Sequence, residues 1–65
     1  MKIEYDEETD TLTITLREGR VKESDELRPG VIIDFGYDDG MVRMEILNAS
    51  RTVDRTKEIN FAVAH

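Results

Sequence analysis

With 65 residues, 15 acidic and 9 basic, the chain has room for one β-rich domain spanning 1–65 and carries a net charge of -6. That charge repels phosphate backbones, which excludes nucleic acid as a partner, and favours a basic protein. There is no cysteine and a single histidine, His65, so disulfides and a histidine-rich metal site are excluded as staples, and association with a second subunit is left as the expected reinforcement for so small a core.

The opening residues lack the basic and apolar regions of a signal peptide, and no apolar run is long enough to span a bilayer, so the expectation is a cytoplasmic protein without a membrane partner. The first alternating run, residues 2–6, puts Ile3 and Tyr5 on one side. Residues 11–16 repeat the pattern with Leu12, Ile14 and Leu16 on one side and Thr11, Thr13 and Thr15 on the other. A polar connection of hairpin length, Glu7-Glu8-Thr9-Asp10, separates them, and Glu18-Gly19-Arg20 closes the second run.

Residues 21–27 hold no apolar side chain between Val21 and Leu27, a composition that fits a charge-blunted edge strand or a loop. Pro29-Gly30 then reverses the chain, because proline presets φ and glycine accepts a positive φ without steric cost. Beyond it Val31, Ile33 and Phe35 share a side. Asp39-Gly40 supplies the dipeptide a hairpin needs, and Val42, Met44 and Ile46 share a side in the returning strand. Asn48 or Ser50 is placed to cap a short helix running to about Arg55. In residues 58–64, Ile59, Phe61 and Val63 alternate with smaller or polar residues, which favours a final strand, with a helix over 56–64 as the alternative.

The expected fold is therefore α+β and β-rich: an antiparallel meander sheet of four to six short strands with one short helix near the C-terminus. Its apolar side would collect Ile3, Tyr5, Leu12, Ile14, Leu16, Val31, Ile33, Phe35, Val42, Met44 and Ile46. Nothing else in the chain is large enough to cover that side, so either the sheet curls over on itself or a second copy covers it. An isologous homodimer is the expected form.

The succession Met1-Lys2-Ile3-Glu4-Tyr5-Asp6, Asp10-Thr11-Leu12-Thr13-Ile14, Val21-Lys22-Glu23-Ser24, Pro29-Gly30-Val31-Ile32-Ile33-Asp34-Phe35 and Glu45-Ile46-Leu47-Asn48-Ala49-Ser50 resembles a small prokaryotic family known as domain of unknown function 2283. The resemblance runs from Met1 to about Arg51 and implies a compact β-rich domain with no assigned activity. Some members of that family lie beside small toxin-like proteins in their genomes, which makes a toxin an implied basic partner and an antitoxin role an implied function. Thr13 stands where relatives often have tyrosine, and no functional residue carries over.

Candidate chemistry is sparse. Asp6, Glu8 and Asp10 gather carboxylates in one turn, but without the glycine and the distant glutamate of a calcium loop, and an acidic hairpin turn explains them. Asp34-Phe35-Gly36 spells a kinase magnesium triplet without any of the other kinase elements, and reads as a strand end entering a turn. Asn48-Ala49-Ser50 matches a glycosylation pattern, for which helix capping is the better account in a chain without a signal peptide. Asp34 with Asp38 could form an acid–base pair only in a cleft. His65, Ser24 and Ser50 form no nucleophile–base constellation, because a base on a fraying terminus cannot be held within about 3 Å of its target. The expectation is a protein-interaction or oligomerisation module that is not an enzyme, with no catalytic, cofactor-binding or metal-ligating residue and no cofactor. The alternative is a small-ligand or metal-binding domain using the acidic turns at residues 6–10 and 34–39.

Overall fold

Each alternating run becomes an extended segment because its β-branched and aromatic side chains pack well on a pleated surface. The computed structural model describes residues 1–64 and contains β1 (Lys2–Asp6), β2 (Thr11–Thr15), β3 (Val21–Arg28), β4 (Val31–Gly36), β5 (Met41–Ile46) and a single 3₁₀ turn, Ala49–Arg51. The five strands form one antiparallel sheet in the order β1-β2-β5-β4-β3.

The expected β-rich class holds, and the meander runs unbroken from β3 through β4 to β5. It is interrupted once: β2 lies beside β5, so that β2 to β5 form a Greek key. Residues 16–20 make the crossing, about 14 Å across three strand spacings. They run past the start of β5, where the amide of Leu16 donates to the carbonyl of Val42 at 2.8 Å.

Turn chemistry explains the hairpins. Gly30 sits at φ 83, the value the second central residue of a proline-led turn requires. In the β4–β5 connection the left-handed residue is Asp39, at φ 64, in a turn closed by bonds between Gly36 and both Asp39 and Gly40. Between β1 and β2, the Asp6 carboxylate accepts from the amides of Glu8 and Thr9, and Asp10 takes φ 53. β3 is exposed along its whole length, so the charge-rich residues 21–27 do form an edge strand, extended to Arg28.

Near the end of the chain one expectation holds in shortened form and one fails. The helix from residue 48 to about 55 shrinks to the 3₁₀ turn Ala49–Arg51, because Asn48 adopts φ 52 with no side-chain cap and Ser50 bonds elsewhere. The strand, or alternatively helix, expected in residues 56–64 does not form: the segment pairs with no strand, and Ile59, Phe61 and Val63 are 60%, 79% and 67% exposed. Alternation says which side chains share a side when a chain is extended, and is silent on whether its backbone finds an edge. Among the described residues neither sheet edge pairs with a further strand, and the extents are 34 × 33 × 18 Å. Among the described residues no helix is long and apolar enough to cross a membrane.

Candidate interaction face

Strand register sorts the side chains, since directly paired residues in an antiparallel sheet point to the same side. Two apolar rows result, each crossing four strands. One runs Ile3, Ile14, Met44, Ile33, and the other runs Tyr5, Leu12, Ile46, Val31. At the β3 edge the rows continue into Asp25, opposite Ile33, and, past a register shift that leaves Leu27 as the extra residue, into Arg28, opposite Val31. Eight of the eleven residues expected on the apolar side are therefore in register. Leu16, Phe35 and Val42 lie at the crossover end, where a bulge pairs Phe35 with Met41.

This face is only partly covered. Of the eight row residues, Leu12 (8% exposed) and Ile33 (5%) are buried, while the other six are half-buried. Among the described residues no large side chain is shut off completely from solvent, and only the small Ala49 reaches 0% exposure. Neighbouring side chains protect the central strands, and the chain beyond β5 reaches the row only at Tyr5, through Asp10 and Thr56, among the contacts described.

The opposite face behaves differently. Ser24, Asp34, Arg43 and Thr15 lie in one cross-strand row. Asp34 is 4% exposed there, yet its charge is met from both sides: Ser24 Oγ donates to Oδ1 at 2.5 Å, and Arg43 reaches Oδ2 through Nε at 2.8 Å and Nη2 at 2.7 Å. The serine bond and then the guanidinium hold the Asp34 carboxyl below its ordinary pKa against the opposing effect of burial. Among the described residues no buried side-chain nitrogen or oxygen lacks a partner.

At the crossover end, Arg17 binds the carboxylate of Asp38 at 2.5 Å and the carbonyl of Met41 at 3.2 Å, tying residues 16–20 to the β4–β5 turn. A Cβ on Gly40 would stand 2.9 Å from Arg17 Nη2, so glycine makes room for the guanidinium. A cavity of about 350 Å³ opens beside it, lined by Arg17, Arg20, Tyr37, Asp38 and Val42, with the Arg20 guanidinium 5.3 Å from the centre of the Tyr37 ring. Arg17 holds Asp38 below its usual pKa, and its own charge is already answered by that carboxylate.

The sequence-level candidates disperse into structural roles. Asp6 closes its own turn. Asp10 accepts from Tyr5 Oη at 2.6 Å and from the amide and hydroxyl of Ser50 at 3.0 and 2.7 Å, which fastens the 3₁₀ turn to the β1–β2 hairpin. These bonds lower the Asp10 pKa, and the same carboxylate raises that of Tyr5. Asp34 and Asp38 are taken by different arginines and do not act as a pair. Ser24 and Ser50 each donate to an aspartate. The Asp34-Phe35-Gly36 triplet is the end of β4, as expected. Among the described residues no group of three potential metal ligands converges, and His65 lies outside them. The ion pairs of Arg17 and Arg43 escaped the sequence reading. Register about the β4–β5 turn could have signalled Arg43 opposite Asp34, whereas nothing local places Arg17 beside Asp38.

No curated protein and no solved structure matches the chain. The model of a family described as a protein of unknown function, DUF2283, matches residues 2–50, three-quarters of the length and all five strands, and the chain belongs to that family.

Proposed function

We propose that this protein is a small oligomerisation and interaction module whose apolar sheet face is covered by a second copy of itself. The observation that carries this reading is the surface area. The chain exposes 5313 Å², against about 4,200 Å² for a compact protein of 7.5 kDa. The excess of roughly 1,100 Å², to which the exposed Ile59, Phe61 and Val63 contribute, is of the order of the ~800 Å² each partner contributes to a stable interface. A single layer with one apolar side gains a second layer most directly by pairing about a two-fold axis.

Sedimentation equilibrium of the full chain tests this. The expected mass is twice 7.5 kDa. A monomer persisting at about 100 μM, above the micromolar-to-picomolar range in which interfaces of this size hold, defeats the reading.

The net charge of -6 supports a finer form of it, in which the acidic remainder of the surface receives a basic partner protein, of which a toxin is one kind. The small-ligand or metal alternative loses support, since Asp10 and Asp34 use both carboxylate oxygens, and Asp6 and Asp38 one each, on bonds within the chain.

A further inference from the structure

Resting on that dimer reading, we infer that the two-fold axis runs across the strands, so that β3 of each copy lies over β3 of the other and Asp25 meets Arg28 of the partner subunit. The geometry comes from the register. The apolar rows end at β3 in opposite charges, Asp25 beyond Ile33 and Arg28 beyond Val31, two positions apart along β4 and separated on β3 by the register shift at Leu27. Among the described residues neither side chain takes part in an ion pair.

An axis parallel to the rows and midway between them lays the Ile3–Ile14–Met44–Ile33 row of one copy over the Tyr5–Leu12–Ile46–Val31 row of the other. The same operation sets Asp25 over Arg28 of the partner subunit, and Arg28 over Asp25 of the partner subunit. An axis parallel to the strands instead lays β3 over the partner's β1. That arrangement presses Asp25 against Ile3 of the partner subunit, burying a carboxylate with nothing to answer it. Apolar matching alone does not separate the two axes, since both superimpose greasy rows. The charges at the row ends do, as complementary charges fix register in other interfaces. With -6 on each copy, long-range repulsion opposes association, and a cation placed opposite a carboxylate offsets part of it.

A charge-swap experiment decides the matter. Asp25→Lys places two cations together at both symmetric sites, and Arg28→Glu places two anions together. Each variant is expected to weaken its own dimer by about tenfold at low ionic strength, the scale of two exposed pairs lost and reversed, with the penalty shrinking in high salt. Mixed in equal amounts, the two variants are expected to form a heterodimer of wild-type affinity, because Lys meets Glu at one site and Arg28 meets Asp25 at the other. Fluorescence-detected sedimentation of one labelled variant titrated with the other reads this directly. Single variants that dimerise as tightly as the wild type, or a mixture that is no tighter than its components, overturn the axis while a dimeric wild type leaves the dimer standing. A wild type that is itself monomeric removes both.

Discussion

The two faces of this sheet are built by the same five strands and end in opposite conditions. On the polar face, a carboxylate that is 4% exposed has every oxygen answered by Ser24 or Arg43. On the apolar face, six of eight row residues remain half wet. Hydrogen bonds and ion pairs are short-range and directional, so a neighbouring strand about 4.8 Å away can complete them. Burial of apolar surface requires volume, and a neighbour in the same layer supplies height on either side but nothing above. A chain of 65 residues in one sheet can therefore finish its polar chemistry alone while its apolar face stays half wet.

The largest expected effect is on the apolar face. Ile14→Asp puts a charge in the middle of a row, between Ile3 and Met44. In a dimer that charge is desolvated without a partner, at a cost of about 3–5 kcal/mol, more than a hundredfold in the dissociation constant. Sedimentation should show a monomer, and circular dichroism should show the sheet retained. An Ile14→Asp protein that still dimerises would place the interface on another surface.

The polar face is broken next. Arg43→Met leaves the Asp34 carboxylate buried with only Ser24, and urea denaturation should show a loss of about 2 kcal/mol, less than for a fully enclosed pair because the Arg43 side chain is 42% exposed. The same network sets a pH dependence. Asp34, held down first by Ser24 and then by Arg43, Asp10, held down first by Tyr5, and Asp38, held down first by Arg17, all have folded-state pKa values below the ordinary carboxylate value. The unfolded chain binds protons first as pH drops, so the stability these groups contribute is complete above about pH 4 and disappears as pH falls through the lower folded values. Stability measured from pH 7 down to pH 2 should fall at the acid end, and Asp34→Asn should flatten part of that fall. An unchanged slope in Asp34→Asn would show that Asp10 and Asp38 carry it.

How much of this could be read beforehand follows the same division between local and distant causes. Strand positions, the Pro29-Gly30 reversal and the charge-blunted edge at β3 are written in period and turn residues, which act within a few positions. The place of β2 beside β5 is not, because residues 16–20 carry no mark of how far they travel. The Arg17–Asp38 tie that secures the crossing joins residues 21 apart in sequence. The neighbours of Asn48 and Ser50 suggest a cap at either, whereas the hydroxyl and amide of Ser50 go to Asp10, 40 positions away. The apolar side was legible as a set, and its incompleteness followed from counting what remained to cover it.

Residues 58–64 give the smallest expected effect and the sharpest check on which layer covers the apolar face. Up to Lys57 the segment is fastened: Lys57 Nζ lies 2.9 Å from Glu7, a pair exposed on both sides and worth little. Beyond it, Ile59, Phe61 and Val63 are all largely exposed. Ending the protein after Lys57 should therefore change its unfolding free energy by less than about 0.5 kcal/mol, as for surface changes that remove no buried contact, and should leave the dimer intact. A loss of several kcal/mol would mean that Phe61 and its neighbours lie on the apolar rows in solution, as the missing layer supplied by the chain itself, and the second copy would then have no face left to cover.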